Sequence, residues 1–267
     1  MQVISNLDAG PLDDAAWDSF VATSPNGHLL ETSRWGALKA RFGWGVQRVA
    51  LTDGNAIVAA ARVLMRSLPL AGAMGYVPRG PLFALDDPVL TRLVIDELHQ
   101  VARAHRVQYL VVEPPCNGEA LAHQLPGWGF RPSAIRMAQA TATVLIDLTM
   151  DLDDILAQMR KKTRYCIRRG LRERITVREG TERDLHTFYR LGVATSRRHG
   201  FFPFPEAYFA EMRHVFASYG YIRLFLAEYE DEAVSAQVVL PFGDTVLAKH
   251  GGWSGHHGHR RPNEVLE

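Results

Sequence analysis

Cysteine is scarce in this sequence, and long apolar runs are missing from it. The two cysteines, Cys116 and Cys166, lie far apart with neither a CxxC nor a Cys/His metal spacing, which argues against a disulfide framework and a zinc site. No run of about 18 apolar residues occurs, and the first residues lack the basic and apolar stretches of a signal peptide. We therefore expect a cytosolic protein without a transmembrane segment, in which Cys166 lies in the core.

Net charge is also low, because 30 basic residues are balanced by 29 acidic ones. One stretch departs from this balance: residues 160–174, RKKTRYCIRRGLRER, contain eight Lys or Arg and one acid, Glu173. Charge concentrated in this way points to a partner that is itself polyanionic, such as RNA or a phosphorylated small substrate. A solvated helix face without a partner is the third explanation, and the stretch alone does not exclude it.

Helical spacing would arrange this basic stretch into two sides. Four basic residues recur at steps of three and four, so a helix would place them on one side: Lys161, Arg164, Arg168 and Arg172. Apolar residues are predicted to share a buried side: Ile155, Leu156, Met159, Tyr165 and Ile167. Arg164 and Arg168 are the best candidates for oriented phosphate contacts, because a guanidinium can donate two parallel hydrogen bonds.

The first half of the chain predicts helices and short strands in a recognisable order. Apolar spacing predicts two helices, then strands 46–52 and 56–64 around an Asp53-Gly54 turn, a Gly/Pro-rich loop at 72–81, helix 88–105 and strand 108–113. This order is typical of a mixed sheet covered by helices. With 267 residues, of which 47% are apolar, the chain has enough material for one large or two ordinary domains.

The second half repeats this order. Residues 223–226 and 234–240 echo 48–51 and 57–64 after about 175 residues, each pair joined by an acidic turn and preceded by an aromatic-rich helix. Each pair is also followed by a strand that runs into glycines, 74–80 in the first half and 247–252 in the second. We therefore predict an α/β (α+β) protein of two similar modules, residues 1–149 and 150–267. Two unrelated halves that both use hairpins remain the alternative.

Several ordered motifs resemble the FemABX family of peptidoglycan aminoacyltransferases. They are Ser24-Pro25, Thr32 to Lys39, Gly43-Trp44, Tyr76 to Pro81, Leu125 to Phe130, Lys161 to Tyr165 with Ile167-Arg168, Phe188-Tyr189, Thr195, Arg198 to Phe201, and Tyr208-Phe209. The resemblance implies two tandem acetyltransferase-like (GNAT) modules with mixed, mostly antiparallel sheets. Because family members continue beyond the segment that matches 262–267, it also implies a truncated chain with an incomplete second module and little activity.

The resemblance further implies a reaction. Family members transfer an amino acid from aminoacyl-tRNA to a side-chain amine on the stem peptide of a cell-wall precursor, in its UDP-linked muropeptide form or its lipid-linked form. Aminoacyl-tRNA would be the co-substrate, and no other cofactor is expected. A lipid-linked acceptor would bring the protein to the inner face of the membrane as a peripheral protein.

Site residues carry over one by one. Lys39 matches a lysine that contacts the precursor phosphates, Tyr208 matches a tyrosine of the muropeptide site, and His250 stands where a second substrate tyrosine is expected. Phe204 stands where an arginine is expected, which leaves the identity of the precursor open. Each also has a structural explanation, as an exposed helix lysine, a core aromatic or a structural histidine. The resemblance assigns tRNA or precursor contacts to the basic residues Lys161, Lys162, Arg164 and Arg168.

No catalytic residue can be assigned from the sequence. Glu113, at a predicted strand end, and Asp147 are candidate general bases by position only. His256, His257 and His259 lack acidic or cysteine partners at ligand spacing, so we expect a polar loop and no metal site there.

Two rival functions stay open. One is an acyl-CoA-dependent N-acyltransferase of the same fold, although the sequence lacks the QxxGxG/A loop that such enzymes use to bind pyrophosphate. The other is a non-catalytic RNA-binding module that uses the same basic stretch.

Overall fold

The structure is a computed structural model, which describes residues 13–70, 72–83, 87–116, 118–133, 137 and 143–267, and the backbone of 2–5. The chain divides into two compact units, residues 1–139 and 140–267. The predicted modules placed this division at 149/150. Within the described residues, no helix combines the length and the apolar character needed to cross a bilayer.

The first unit contains a five-stranded sheet in the order β1-β2-β3-β4-β5. Strands β1 to β4 pair antiparallel, whereas β5 pairs parallel with β4 after the crossover helix α3. The strands are β1 Gln2–Ser5, β2 Gly45–Asp53, β3 Ala56–Leu68, β4 Gly72–Val77 and β5 Val107–Val112. The helices are α1 Asp14–Thr23, α2 Ser33–Arg41, α3 Pro88–Ala104 and α4 Glu119–Gln124. The mixed sheet expected from the sequence is confirmed.

Residues 72–77 form a strand, so the expectation of a loop over 72–81 is wrong there, whereas the strand that the repeat predicted at 74–80 is confirmed for 74–77. Its glycines suggested a turn, but Gly75 serves the packing of the sheet. A Cβ at Gly75 would lie 2.7 Å from Leu110 Cδ1 on β5, closer than real Cβ contacts allow. Glycine here therefore makes room for a neighbouring side chain.

Helices cover both faces of this sheet because successive side chains of a strand point to opposite sides. On β3, Ala59, Ala61, Val63 and Met65 join the apolar core that includes Val94, Ile95 and Leu98 of α3. The alternate position Arg62 faces α2, where a Cβ at Gly36 would lie 3.2 Å from its Nη1.

A buried ion pair lies on this second face. Arg62 and Glu31 are 0% and 1% exposed, and Arg62 Nη2 lies 3.5 Å from Glu31 Oε2. Arg62 Nη1 donates to the Thr32 carbonyl at 2.7 Å, and the Trp17 indole donates to the Glu31 carbonyl at 2.7 Å. Burial raises the pKa of Glu31 from 4.5 to about 7, and the nearby Arg62 charge only partly opposes this. These contacts join α1, the turn before α2 and β3.

The second unit contains a four-stranded antiparallel sheet in the order β6-β7-β8-β9. Its strands are β6 Thr176–Glu179, β7 Arg223–Tyr229, β8 Glu232–Phe242 and β9 Thr245–Trp253. Its helices are α5 Leu152–Gln158, α6 Lys161–Arg172, α7 Leu185–His199, α8 Glu206–Phe216 and α9 Pro262–Leu266. The β7/β8 register shifts at Ala227/Glu228, and the β2/β3 register shifts at the equivalent Leu51/Thr52, so the two hairpins share an irregularity as well as a sequence echo.

We predict that Glu31→Gln changes how stability depends on pH. The folded state retains the Glu31 proton between pH 4.5 and about 7, so this site contributes most stability below pH 4.5 and loses it as pH rises towards 7. The glutamine side chain of the variant cannot titrate. The unfolding free energy of the wild type minus that of E31Q should therefore fall by about 2–3 kcal/mol between about pH 4.5 and 7.5 in urea titrations. A constant difference over that range would contradict the prediction.

Candidate functional site

The basic stretch forms helix α6, Lys161–Arg172, which is separate from α5. The backbone is extended at Met159 and Arg160, with ψ of 151° and 144°, so the two helices do not share one phase. The predicted buried side is therefore wrong for Tyr165, whose side chain is 53% exposed. Cys166 and Gly170 are the buried residues of α6, and the expected core position of Cys166 is confirmed.

The outer surface of α6 is positively charged. Lys161, Lys162, Arg168 and Arg172 are exposed, while the acid that closes the stretch, Glu173, is held by Arg260 at 2.7 Å. A shallow cavity of about 560 Å³ runs along this surface. It is lined by Lys161, Arg164, Tyr165, Arg168, Leu171 and Arg172. Exposed cations beside an exposed aromatic ring form a surface that can bind phosphates and stack a base.

Arg164 also holds the backbone around it. Its Nη1 donates to the carbonyls of Ala157 and Met159 at 2.9 and 2.6 Å, at the C-terminal end of α5. These bonds satisfy carbonyls that the end of α5 leaves unpaired. Of the two arginines predicted to make oriented contacts, Arg168 is exposed and Arg164 is half-buried.

Gly170 lets α6 approach the segment that begins α9. A Cβ at this position would lie 2.3 Å from Val265 Cγ2 and 3.0 and 3.1 Å from the carbonyl oxygens of Arg260 and Arg261. Two of these three neighbours are backbone atoms, which cannot move without shifting the segment. The only residue that fits between the two helices without such a shift is glycine.

The three positions that the resemblance assigns to the acceptor site on the second unit meet in one ring cluster. Phe204 stacks on Tyr208 with centroids 4.3 Å apart, and His250 of β9 packs edge-on to both at 5.5 and 5.9 Å. Phe209 packs against all three. Edge-to-face and offset arrangements of this kind are favoured by the ring quadrupoles.

Exposure differs sharply within this cluster. Tyr208 is 1% exposed and Phe204 is 44% exposed. Burial raises the pKa of the Tyr208 phenol, so it stays neutral. The structure buries Tyr208 against Phe204, and Phe204 is the more exposed of the two rings. The substrate contact expected of Tyr208 stays a prediction.

Lys39 lies on α2 of the first unit. Its Nζ lies 4.9 Å from the ring centroid of Trp35, which is 2% exposed. This cation–π contact holds the ammonium over the aromatic ring. The structure thus brings the α6 residues together, and separately Tyr208 with His250, while Lys39 belongs to the other unit.

Both candidate general bases accept hydrogen bonds from neighbouring residues. Hydrogen bonds from the Thr149 hydroxyl and amide, at 2.7 and 2.9 Å, hold the pKa of exposed Asp147 below its usual range. Glu113 follows the end of β5, and its carboxylate accepts a hydrogen bond from the Tyr76 hydroxyl. This bond links β5 to β4.

The histidine-rich segment after β9 makes ring and backbone contacts. The His257 and His259 rings are 6.4 Å apart, His257 lies 4.9 Å from the Tyr229 ring, and the Trp253 indole donates to the His256 carbonyl at 2.9 Å. Across the described residues, no group of three His, Cys, Asp or Glu side chains is arranged to hold a metal.

The sequence did not reveal the role of Trp253 at the end of β9. Arg198 Nη2 donates to the Trp253 carbonyl at 2.7 Å, and the guanidinium lies 4.7 Å from the indole centroid. Thr195 Oγ1 accepts from the Trp253 amide at 2.8 Å. Thr195 and Arg198 belong to the family-like motifs, and the structure shows that they fasten α7 to β9. The sequence feature that could have pointed to this contact is the Gly-Gly-Trp at the end of the strand.

Comparison with known proteins matches both units. The acetyltransferase (GNAT) domain family matches residues 157–267, and the FemAB family matches residues 12–126. The crystal structure of FemX superimposes over 100% of this chain and 84% of its own, with a TM-score of 0.81 and 17% identity. The protein therefore has the tandem GNAT-like fold that the sequence predicted.

Curated relatives extend the comparison across most of the chain. A protein of Staphylococcus aureus strain MRSA252 named Lipid II:glycine glycyltransferase is 24% identical over 231 residues, 83% of this chain and 55% of the relative. Another S. aureus protein of that name is 23% identical over the same length. Together with the FemAB match, these relatives support the resemblance to the FemABX family that the sequence motifs indicated. It spans about half the length of these curated relatives.

We predict that Gly170→Ala destabilises the protein, although alanine normally favours a helix. The added methyl group would meet Val265 and two backbone carbonyls, which should cost about 1–3 kcal/mol of unfolding free energy in urea titrations. Gly192→Ala on α7 is the matched control, because nothing lies within 4 Å of its Cβ position. It should be neutral or stabilising by up to about 1 kcal/mol. Equal effects of the two changes would contradict this role of Gly170.

We also predict different effects for the two arginines of α6. Arg168→Gln should weaken binding to a polyanion such as heparin or RNA with little change in melting temperature, because its side chain is exposed. Arg164→Gln should also lower the melting temperature by a few degrees, because it removes two bonds to backbone carbonyls. Exposed Arg183→Gln is the control for charge alone. The reverse order of melting temperatures would contradict the assignment.

Proposed function

We propose that this protein transfers an amino acid from aminoacyl-tRNA to the side-chain amine of the stem peptide of a lipid-linked peptidoglycan precursor. The observation that carries the proposal is the 231-residue similarity to proteins named Lipid II:glycine glycyltransferase, which extends through both units. Those names favour the lipid-linked acceptor over the UDP-linked form that the sequence left open. The donor and the acceptor amine follow from the family resemblance.

The reaction is aminolysis of an ester. A neutral amine attacks the ester carbonyl, negative charge develops on the carbonyl oxygen, and the tRNA hydroxyl leaves with a proton. Both substrates carry phosphates, so the enzyme must hold two polyanions close together. Positioning alone can supply several kcal/mol of the barrier lowering, on the order of 7–11 for well-oriented reactants. A covalent nucleophile is not needed in this scheme.

Helix α6 suits the task of holding a polyanion. Its exposed side presents Lys161, Lys162, Arg168 and Arg172, and the acid that follows the helix, Glu173, is paired with Arg260. Tyr165 is exposed among these cations and can stack on a base, which favours the tRNA end as the ligand of this surface. The arginine expected at Phe204 is missing, so in this proposal Lys39 is the residue that recognises the precursor phosphates.

The acyl-CoA rival is supported by the GNAT domain match but disfavoured by the loop before α9. A pyrophosphate cradle needs backbone amides that point at the ligand. In this loop the amides of Arg260 and Arg261 instead donate to the carbonyls of His257 and Gly258, at 2.8 and 3.2 Å. Those two amides are therefore already used within the loop.

We predict transfer from a charged tRNA, glycyl-tRNA being the first to test, to lipid-linked precursor in detergent micelles. Removing charge from α6 with Arg168→Gln and Arg172→Gln should raise the KM for tRNA and flatten its salt dependence. The log–log slope should fall by about 0.7 for each phosphate that the variant no longer binds. Arg183→Gln should leave both the KM and the slope unchanged.

The rival functions give different results in the same assay. Acetyl-CoA turnover without transfer from any charged tRNA would support the acyltransferase. Salt-sensitive RNA binding that does not distinguish charged from uncharged tRNA, without transfer, would support the binding module. Either result would overturn the proposed function.

A further inference from the structure

A continuous exposed segment begins in the last turn of helix α7 and continues beyond its end. Residues 197–205, RRHGFFPFP, are all exposed. Phe201 is 53% exposed, Phe202 is 100% exposed and Phe204 is 44% exposed. Three phenylalanines this close together at the surface are costly in water, and such apolar patches mark sites of protein or membrane interaction. We refer to residues 197–205 as the aromatic loop.

The aromatic loop is fixed at both ends. The amides of Gly200 and Phe201 donate to the Ser196 carbonyl at 2.8 and 3.2 Å, and the Tyr208 amide donates to the Pro205 carbonyl at 2.9 Å. Gly200 adopts φ of 71°, which ends the helix, and two prolines restrict the rest of the loop. The phenylalanines are therefore displayed in a defined arrangement, and little entropy is lost when they are buried.

Charge on the loop favours an anionic partner. Exposed Arg197 and His199 stand immediately before the phenylalanines. Arg198 is directed towards the Trp253 carbonyl. The nearest acid in sequence, Glu206, lies 3.0 Å from the His186 ring nitrogen, within hydrogen-bond distance. Aromatic rings flanked by cations are the composition that binds the interface of an anionic bilayer.

The loop is continuous with the candidate acceptor site. Phe204 belongs to the aromatic loop and also stacks on Tyr208 at 4.3 Å, next to His250. Contact of the loop with a membrane would bring the ring cluster to the depth of the lipid headgroups. A lipid-linked acceptor presents its sugar and peptide at that depth.

We propose that the aromatic loop, residues 197–205, is a membrane-docking element that inserts Phe201 and Phe202 into the interface of an anionic phospholipid bilayer. The proposal rests on the proposed function in one respect: docking would serve to bring the protein to a lipid-linked acceptor. Docking itself requires no substrate, so it can be tested separately.

The test is co-sedimentation of the full chain with phosphatidylcholine vesicles that contain or lack phosphatidylglycerol, without any substrate. Phe201→Ser and Phe202→Ser should each weaken binding to phosphatidylglycerol vesicles about tenfold, since each removes one inserted ring. Arg197→Gln should weaken it about fivefold and reduce the preference for anionic lipid. Tyr219→Ser, which removes a 52% exposed aromatic ring outside the loop, should have no effect. Unchanged melting temperatures would show that all four variants are folded.

Three results would overturn the proposal. The first is failure of the wild type to bind phosphatidylglycerol vesicles, and the second is full binding by the Phe202→Ser variant. The third is a wild type that self-associates on size exclusion but does not bind vesicles, together with a Phe202→Ser variant that no longer self-associates. That result would make the loop a protein–protein interface. Transfer to a soluble UDP-linked precursor should be unaffected by Phe202→Ser. Failure of the wild type to transfer to any precursor would count against the proposed function and leave the docking result standing.

Discussion

The close contact between α6 and the segment around α9 determines where the basic surface of this protein lies. A helix with so many cations can bury very little of itself, and only Cys166 and Gly170 of α6 are buried. Gly170 allows backbone carbonyls to come within about 3 Å of where a side chain would begin. The Arg260–Glu173 ion pair then neutralises the one acid at the end of the helix. A narrow contact on one side thus leaves the other side free to bind a polyanion.

The two units use charge in opposite ways. The first unit buries the Arg62–Glu31 pair between its sheet and its first helices, where the pair joins elements that are distant in sequence. Burial costs the Glu31 carboxylate enough hydration to raise its pKa, although Arg62 lies beside it. The second unit keeps the cations of α6 in water, where they add little stability and remain available to a ligand.

Aromatic residues organise the other candidate site. The core ring Tyr208 supports Phe204, and Phe204 continues into the aromatic loop. Under the proposed function, this arrangement would place the candidate acceptor site beside the proposed membrane-docking loop. It also accounts for a phenylalanine at a position where the resemblance led us to expect an arginine.

Much of the fold could be predicted from the sequence because it depends on local periodicity. Apolar spacing and turn residues predicted the hairpins β2–β3 and β7–β8 and the helices beside them, and the repeat predicted two modules. The same periodicity failed at Tyr165, because two residues of extended backbone at Met159 and Arg160 changed the phase between α5 and α6. The glycines of 72–81 also suggested a loop, although Gly75 lies within a strand, where it makes room for Leu110.

The sequence by itself determined the charge of α6, the family motifs and the order of the elements, since these are properties of neighbouring residues. Only the tertiary structure decided which members of each motif are available to a ligand. Arg164 bonds to the end of α5, Arg168 is exposed, and Tyr208 is covered by Phe204. These outcomes depend on contacts between residues far apart in the chain, or across a helix break, and burial by such partners cannot be read from local spacing.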